Sequence, residues 1–350
     1  MLMVFVWVVI VLLGLQLMLL ALLITSKIRL LRRDGVVEEQ IEAVSPHFIA
    51  YIEGTTNSAP ELELGLKWRI SVAEGILNRI SSSFEEEAAK KRLSELAEKY
   101  LSSHYRSTLK GGKWADRINA LYFIEDFHMM SLRQDVYVHY QSLRKHDEEF
   151  RQCLLTATSL QESRLLKDIL EHESISTGLI KEILFRLDDT YLEEMMRRVE
   201  SDAVTSEKVL YAFITFLGEQ KNRRFYPFIE GKLCDDRKEV RLKAMSSLCD
   251  FEEFSNPHLL APFFTSEYWE ERMYAAKIAG ACGLTQYQSS MIELFSDSVW
   301  WVRFSAADNI YKFQEGDALL AQVSHEHSDD YARDIAKHML TRRGGRGNEW

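Results

Sequence analysis

Two patterns of apolar and polar positions divide the chain. Residues 2–25 (LMVFVWVVIVLLGLQLMLLALLIT) carry no charge, and only Gly14, Gln16 and Thr25 interrupt the apolar run. At ~1.5 Å rise per residue the run reaches ~36 Å, more than a hydrocarbon core of ~30 Å. A helix satisfies every backbone group of a lone segment in that medium. The pattern predicts a transmembrane anchor over residues 1–26, with residues 2–25 in the membrane. A cleavable signal would need a basic leader and a shorter apolar stretch. Here no Lys or Arg precedes the run, and Ile24-Thr25-Ser26 is a poor cleavage end.

Lys27, Arg29, Arg32 and Arg33 follow at once. Lys and Arg stay on the cytoplasmic side. The expectation is a single-pass protein of the cell (plasma) membrane, with its N-terminus outside and everything after Lys27 cytoplasmic. Residues 27–60 read as a basic stop and a juxtamembrane connector. Pro46, Gly54 and the stretch Thr55 to Pro60 are turn and loop formers, with room for one short helix around Val36 to Val44.

From Glu61 onward the pattern becomes amphipathic. Leu93, Leu96, Ala97 and Leu101 have helical spacing, with Glu85 to Glu87 near a helix start and Lys90 to Arg92 after them. Residues 61–113 predict an N-terminal helical cap closed by Gly111-Gly112.

The strongest pattern is a repeat over 233–341. Arg241, Arg272, Arg303 and Arg333 are 31, 31 and 30 residues apart, and Ala244, Ala275, Ala306 and Ala336 each follow three residues later. Val240, Ala244 and Leu248, like Val302, Ala306 and Ile310, mark one buried helix face. Asp235 and Asp297 stand ahead of these helices as expected N-caps. A shorter apolar segment completes each repeat: Leu259 to Phe264, Met291 to Phe295, Leu319 to Val323. Two helices per ~31 residues with short turns is the arithmetic of an α-solenoid. Weaker windows lie upstream over 114–232, at Asp116-Arg117 with Ala120, Phe150-Arg151 with Leu154, Ile180 to Leu187 and Val209 to Leu217.

The run of Asp, five residues, then Val-Arg and Ala resembles HEAT repeats of the short bacterial type. That resemblance implies an all-α solenoid of helix pairs and a ladder between successive repeats, built from each Asp and the Arg six residues on. Asp235 with Arg241 and Asp297 with Arg303 match the pattern. The second window departs, with Ser266 in place of the Asp and Glu271 in place of an apolar residue, and the fourth is one residue shorter ahead of Arg333.

Composition narrows the function. Hydrophobic residues make up 46%, and only 5 prolines occur, which suits long helices. The net charge of −10 is opposite to what nucleic-acid binding needs. Cys153, Cys234, Cys249 and Cys282 form no C-x-x-C pair and read as free, small buried residues. No phosphate loop, dinucleotide fingerprint, nucleophile elbow or H-E-x-x-H occurs. His325-Glu326-His327 and His172-Glu173 collect metal-ligand types, yet the clear repeats lack such pairs and a polar turn accounts for 325–330. No cofactor or metal is expected, and no catalytic residue.

The aromatics point to a surface instead. Tyr268-Trp269 and Trp300-Trp301 hold equivalent places in successive repeats, with Tyr331 near the same place in the next. Equivalent positions stack into a stripe along a solenoid. The rings either pack into the inter-repeat seam at the helix starts or stand exposed beside Arg as a docking stripe, with the residue types typical of binding hot spots. The expected role is a membrane-tethered, non-enzymatic scaffold that docks a membrane-associated protein there. One anchor followed by bacterial-type HEAT repeats is similar to membrane proteins that accompany glycosyltransferases of envelope polysaccharide synthesis, which implies such an enzyme as partner. The competing expectation is an enzyme on a HEAT scaffold, a metal-dependent oxygenase or a bilin-lyase-like protein. The basic, Gly-rich residues 342–350 read as a flexible tail.

Overall fold

The computed structural model describes residues 2–145, 147–171, 175–201, 206–251 and 253–346, without the side chains of residues 2, 4–6, 8–11, 29, 30, 33, 171 and 343–346. The fold is all-α: among the described residues there are helices, short 3-10 segments and no strand. Backbone contacts divide the chain into two compact units, Met1–Leu165 and Leu166–Trp350.

The first unit contains α1 (Leu2–Ile52), α2 (Leu66–Ile80), α3 (Glu87–Gly111), α4 (Trp114–Asp126), α5 (Arg133–Ser142) and α6 (Glu148–Ser159). Its N-terminal helix corrects the expected connector. Residues 27–52 are neither loop nor short helix but the continuation of α1, which runs straight through Pro46. An interior proline costs a helix ~3 kcal/mol. Burial offsets that cost. Phe48 and Ile52 are fully buried, and a large apolar side chain taken from water is worth ~1.5–3 kcal/mol. Phe48 lies against Tyr100 of α3 with ring centroids 5.8 Å apart. Ile41 lies over Gly75 of α2, where a Cβ would meet Ile41 Cδ1 at 2.4 Å. The Ile41 side chain thus closes directly onto the α2 backbone.

Among the described residues no helix is long and apolar enough to cross a membrane. The uncharged run 2–25 lies within α1, and the anchor expected there falls partly outside the described residues. Its described large apolar side chains, from Leu12 to Ile24, are exposed.

Gly111-Gly112 separates α3 from α4, yet the first unit continues past this break to Leu165. The division expected at 113 is therefore a helix junction, and the segment 114–232 belongs to both units. The cause is packing: α3 lies on α4, and α4 on α6.

The second unit begins with α7 (Leu165–Glu171), α8 (Thr177–Leu184), α9 (Asp189–Glu200) and α10 (Glu207–Glu219). Short and long elements then alternate: α11 (Tyr226–Gly231) and α12 (Lys238–Phe251); a 3-10 helix (Pro257–Thr265) and α13 (Trp269–Ala281); α14 (Gln288–Glu293) and α15 (Trp300–Ile310); α16 (Gly316–Glu326) and α17 (Asp330–Arg346). The long helices pack in chain order, α10 on α12, α12 on α13, α13 on α15 and α15 on α17. Small residues set the spacing. Ala244, Ala275, Ala306 and Ala336 are fully buried. A Cβ on Gly280 of α13 would meet the Asn309 carbonyl oxygen of α15 at 2.7 Å. Hydroxyls tie the same helices together: Ser247 Oγ donates to the Ile214 carbonyl (3.1 Å), and Ser305 Oγ to the Met273 carbonyl (3.2 Å). Of the tail expected over 342–350, residues 342–346 continue α17 and 347–350 lie outside the described residues.

Candidate functional site: an arginine ladder and an aromatic face

The sequence marks the joint between short and long elements with Asp235, Ser266, Asp297 or His327, followed six residues later by an arginine. The geometry there differs from the expected ladder in a consistent way. Asp235 does not receive Arg241 through its carboxylate. That carboxylate accepts from Arg237 Nε and Nη2, each at 2.9 Å, and the Arg237 guanidinium holds it below the usual range. Arg241 Nη1 instead donates to the main-chain carbonyls of Asp235 and Asp236, each at 2.9 Å. The same anchoring recurs at Arg272 (Ser266 carbonyl, 2.7 Å), Arg303 (Asp297 carbonyl, 2.6 Å) and Arg333 (His327 carbonyl, 2.5 Å). Asp235 and Asp297 are not N-caps either. Each accepts from the amide two residues on, Arg237 and Val299, as an Asx turn ahead of the helix.

At Arg241 and Arg272 the free edge of the guanidinium reaches forward to an acid of the next repeat. Arg241 Nε donates to Glu271 Oε1 (2.7 Å), and Ser266 Oγ donates to Glu271 Oε2 (2.5 Å). Glu271 is only 2% exposed, so this buried acid is fully engaged. The two departures in that window therefore cooperate: the acid moves from the Ser266 position to the Glu271 position, and the serine supports it. Arg272 Nε and Nη2 grip Asp297 at 2.6 and 3.0 Å. The first unit holds a comparable grip. Arg117 binds Glu149 at 2.5 and 2.8 Å and the Gly112 carbonyl at 2.7 Å, with His139 Nε2 also 2.8 Å from Glu149. The Arg117 bond keeps the Glu149 carboxyl below its ordinary range.

The aromatic residues do not form an even stripe. Tyr268 and Trp269 are half-buried, and the Tyr268 ring is covered by Lys238 Nζ at 4.8 Å. Trp300, Trp301 and Tyr331 are 46%, 57% and 64% exposed. The Trp300 ring meets Trp301 edge-on at 4.7 Å and stacks on Phe304 at 5.0 Å. Arg342 covers Phe304 at 5.8 Å, and Arg303 lies over Tyr331 at 4.9 Å. Between α15 and α17, Trp300, Arg303 and Tyr331 line a cavity of about 220 Å³ with Asp334, Ile335 and His338. Phe304, Asp334 and His338 had no place in the sequence reading, where Arg342 was part of the tail. Helical spacing from Trp300 and Tyr331 (i+4, i+3, i+7) could have found all three.

Other expected residues sit apart. Lys27 and Arg32 are exposed on α1, while the side chains of Arg29 and Arg33 lie outside the described residues. His327 Nδ1 accepts from the Asp329 amide at 3.1 Å, within the turn before α17. His172-Glu173 lies outside the described residues. Among the described residues no group of three or more His, Cys, Asp or Glu could hold a metal. The cysteines correct one expectation: Cys153 is buried, Cys249 and Cys282 are half-buried, and Cys234 is exposed at the end of a 3-10 turn. Burial pushes the Cys249 thiol up to about 12, so it stays protonated at neutral pH.

No family model matches this chain, and no curated protein matches it. Two similar solved structures are crystal structures of engineered proteins. One is 14% identical over 79% of this chain and 80% of its own, with a TM-score of 0.36. The other is 12% identical over 78% and 96%, with a TM-score of 0.26. Likeness at that level carries no argument about function.

Proposed function

We propose that this protein is a membrane-tethered scaffold with HEAT-like repeats that docks a protein partner on the face formed by Trp300, Trp301 and Tyr331. One observation carries the reading: three large aromatic side chains stand exposed together beside arginines and a cavity, on helices whose cores are closed. Clustered exposed Trp and Tyr with Arg are the residue types that dominate binding energy. Tyr268 and Trp269 belong to the same face at its more buried end. None of these residues has the base–nucleophile geometry of a catalytic site.

The tether is residues 2–25, a charge-free run that begins a 51-residue helix. Lys27, Arg29, Arg32 and Arg33 place the rest of the chain in the cytoplasm by the positive-inside bias. The same helix buries Ile41, Phe48 and Ile52 in the first unit, so the anchor joins that unit without a hinge. Tethering raises the effective concentration of a modest docking surface at the bilayer. A partner in or on the membrane gains most from this, and a membrane glycosyltransferase of envelope polysaccharide synthesis is the candidate that the resemblance implies.

Crosslinking in native membranes tests the proposal. Wild-type protein should yield a discrete crosslinked partner, and Trp300→Ala with Trp301→Ala should lose it while remaining folded and membrane-bound. Unchanged crosslinks would remove the face, and recovery of the chain in the soluble fraction would remove the tether.

A further inference from the structure

Each gripped arginine has two halves. Nη1 anchors to main-chain carbonyls ahead of its own helix, and the Nε–Nη2 edge receives a carboxylate. Arg117 receives Glu149, Arg241 receives Glu271 and Arg272 receives Asp297. Arg303 repeats the anchoring half, with Nη1 on the carbonyls of Asp297 (2.6 Å) and Ser298 (3.3 Å). Its other edge meets no carboxylate among the described residues.

The sequence explains why. Glu271 immediately precedes Arg272, and the matching residue before Arg333 is Ala332. Asp297 stands six residues before Arg303, and the matching residue before Arg333 is His327. Both positions that supply an acid elsewhere are therefore non-acidic. Two acids of the next repeat are otherwise engaged: Asp329 accepts from the Ala332 amide, and Asp330 pairs with Arg333. Asp334 lines the cavity without forming an ion pair with Arg303 among the described residues. Arg303, its Nε–Nη2 edge claimed by no described carboxylate, thus lines a cavity of about 220 Å³ with Trp300 and Tyr331.

We infer that Arg303 is an open rung, completed by a carboxylate on an acidic peptide segment of the docked protein. The inference rests on the docking face proposed above and names the chemistry of its partner. The planar fork matches a carboxylate through two parallel bonds, the arrangement the chain itself uses at Arg272. Asp334 in the wall opposes a doubly charged phosphate more than a singly charged carboxylate. The flanking rings then cover the apolar part of the incoming residue.

The test uses the full chain in detergent at low salt, with acetylated tetraglutamate amide as probe and tryptophan emission as readout. Wild type should bind saturably, with affinity at least tenfold higher than Arg303→Gln. Ala332→Glu places an internal acid at the position that Glu271 holds two repeats earlier. It should weaken the probe at least tenfold and raise the melting temperature, and Arg303→Gln in the same chain should abolish that rise. Ala332→Gln should do neither. Absence of saturable binding, equal binding by Ala332→Glu, or inorganic phosphate or glycerol 3-phosphate binding as tightly as the peptide would each overturn the open rung. Partner crosslinks that persist in Ala332→Glu would leave the scaffold standing and remove the rung. No partner in wild-type membranes would remove the scaffold, while the probe titration still decides the rung.

Discussion

Arg272 and Arg303 occupy the same place in neighbouring repeats and share a backbone anchor, yet one grips Asp297 and the other grips no acid among the described residues. The comparison separates two roles that one residue type can hold. Where the next repeat supplies a buried acid, arginine joins helices. Where it supplies Ala332 and His327, the same side chain is left at a cavity among exposed rings. On the proposed docking reading, the absence of a single acid turns a structural rung into a recognition element.

The largest predicted contrast in stability lies at the gripped rungs. Glu271→Ala removes an acid that holds both Arg241 and Ser266 and leaves a largely buried guanidinium unpaired. Loss of one partner of such a pair costs ~3 kcal/mol or more. Arg303→Ala should cost under ~1 kcal/mol, because no carboxylate is left behind. Urea melts of the two variants check the contrast, and equal losses would break it.

Next in size is Gly280→Ala. The added methyl would press on the Asn309 backbone, and overpacking of that kind costs ~1–3 kcal/mol. The measurement is again the urea midpoint, with Gly178→Ala as the control because a Cβ there meets nothing within 4 Å.

A smaller effect concerns pH. The Arg117 bond lowers the folded pKa of Glu149, so the unfolded chain holds its proton to higher pH than the folded chain. Glu149 therefore contributes stability that is present above the ordinary carboxylate pKa of ~4.3 and lost as pH falls toward the lowered folded value. Urea titrations from pH 7 to pH 3 should show a shallower loss in Glu149→Gln than in wild type. The same slope in both would contradict the pairing. Smallest of all, Trp301→Ala should leave stability within ~0.5 kcal/mol of wild type, since an exposed ring supports little of the core.

How much of this was legible in the sequence follows from which signals were local. The i, i+4, i+8 columns through Ala244 and Ala306 fixed the helix faces, and both are fully buried. Pro46 misled, because its local preference is outweighed by the burial of Phe48 and Ile52, with Phe48 packed against the distant Tyr100. Gly54 and Thr55 to Pro60, by contrast, form the expected loop. Glu271 looked like a flaw in an apolar column. Its purpose depends on Arg241, 30 residues earlier, a pairing that no window of one repeat contains. The exposed aromatics were visible as letters, but the unequal burial of Trp269 and Trp301 depends on what each neighbouring helix places over the ring.

The most direct test of the docking claim places a photo-crosslinking amino acid at Trp301 in the membrane-bound protein, with the exposed Val138 as the control position. The account predicts one discrete protein adduct from position 301 and none from 138. Equal adducts at both positions, or none at 301, would contradict it.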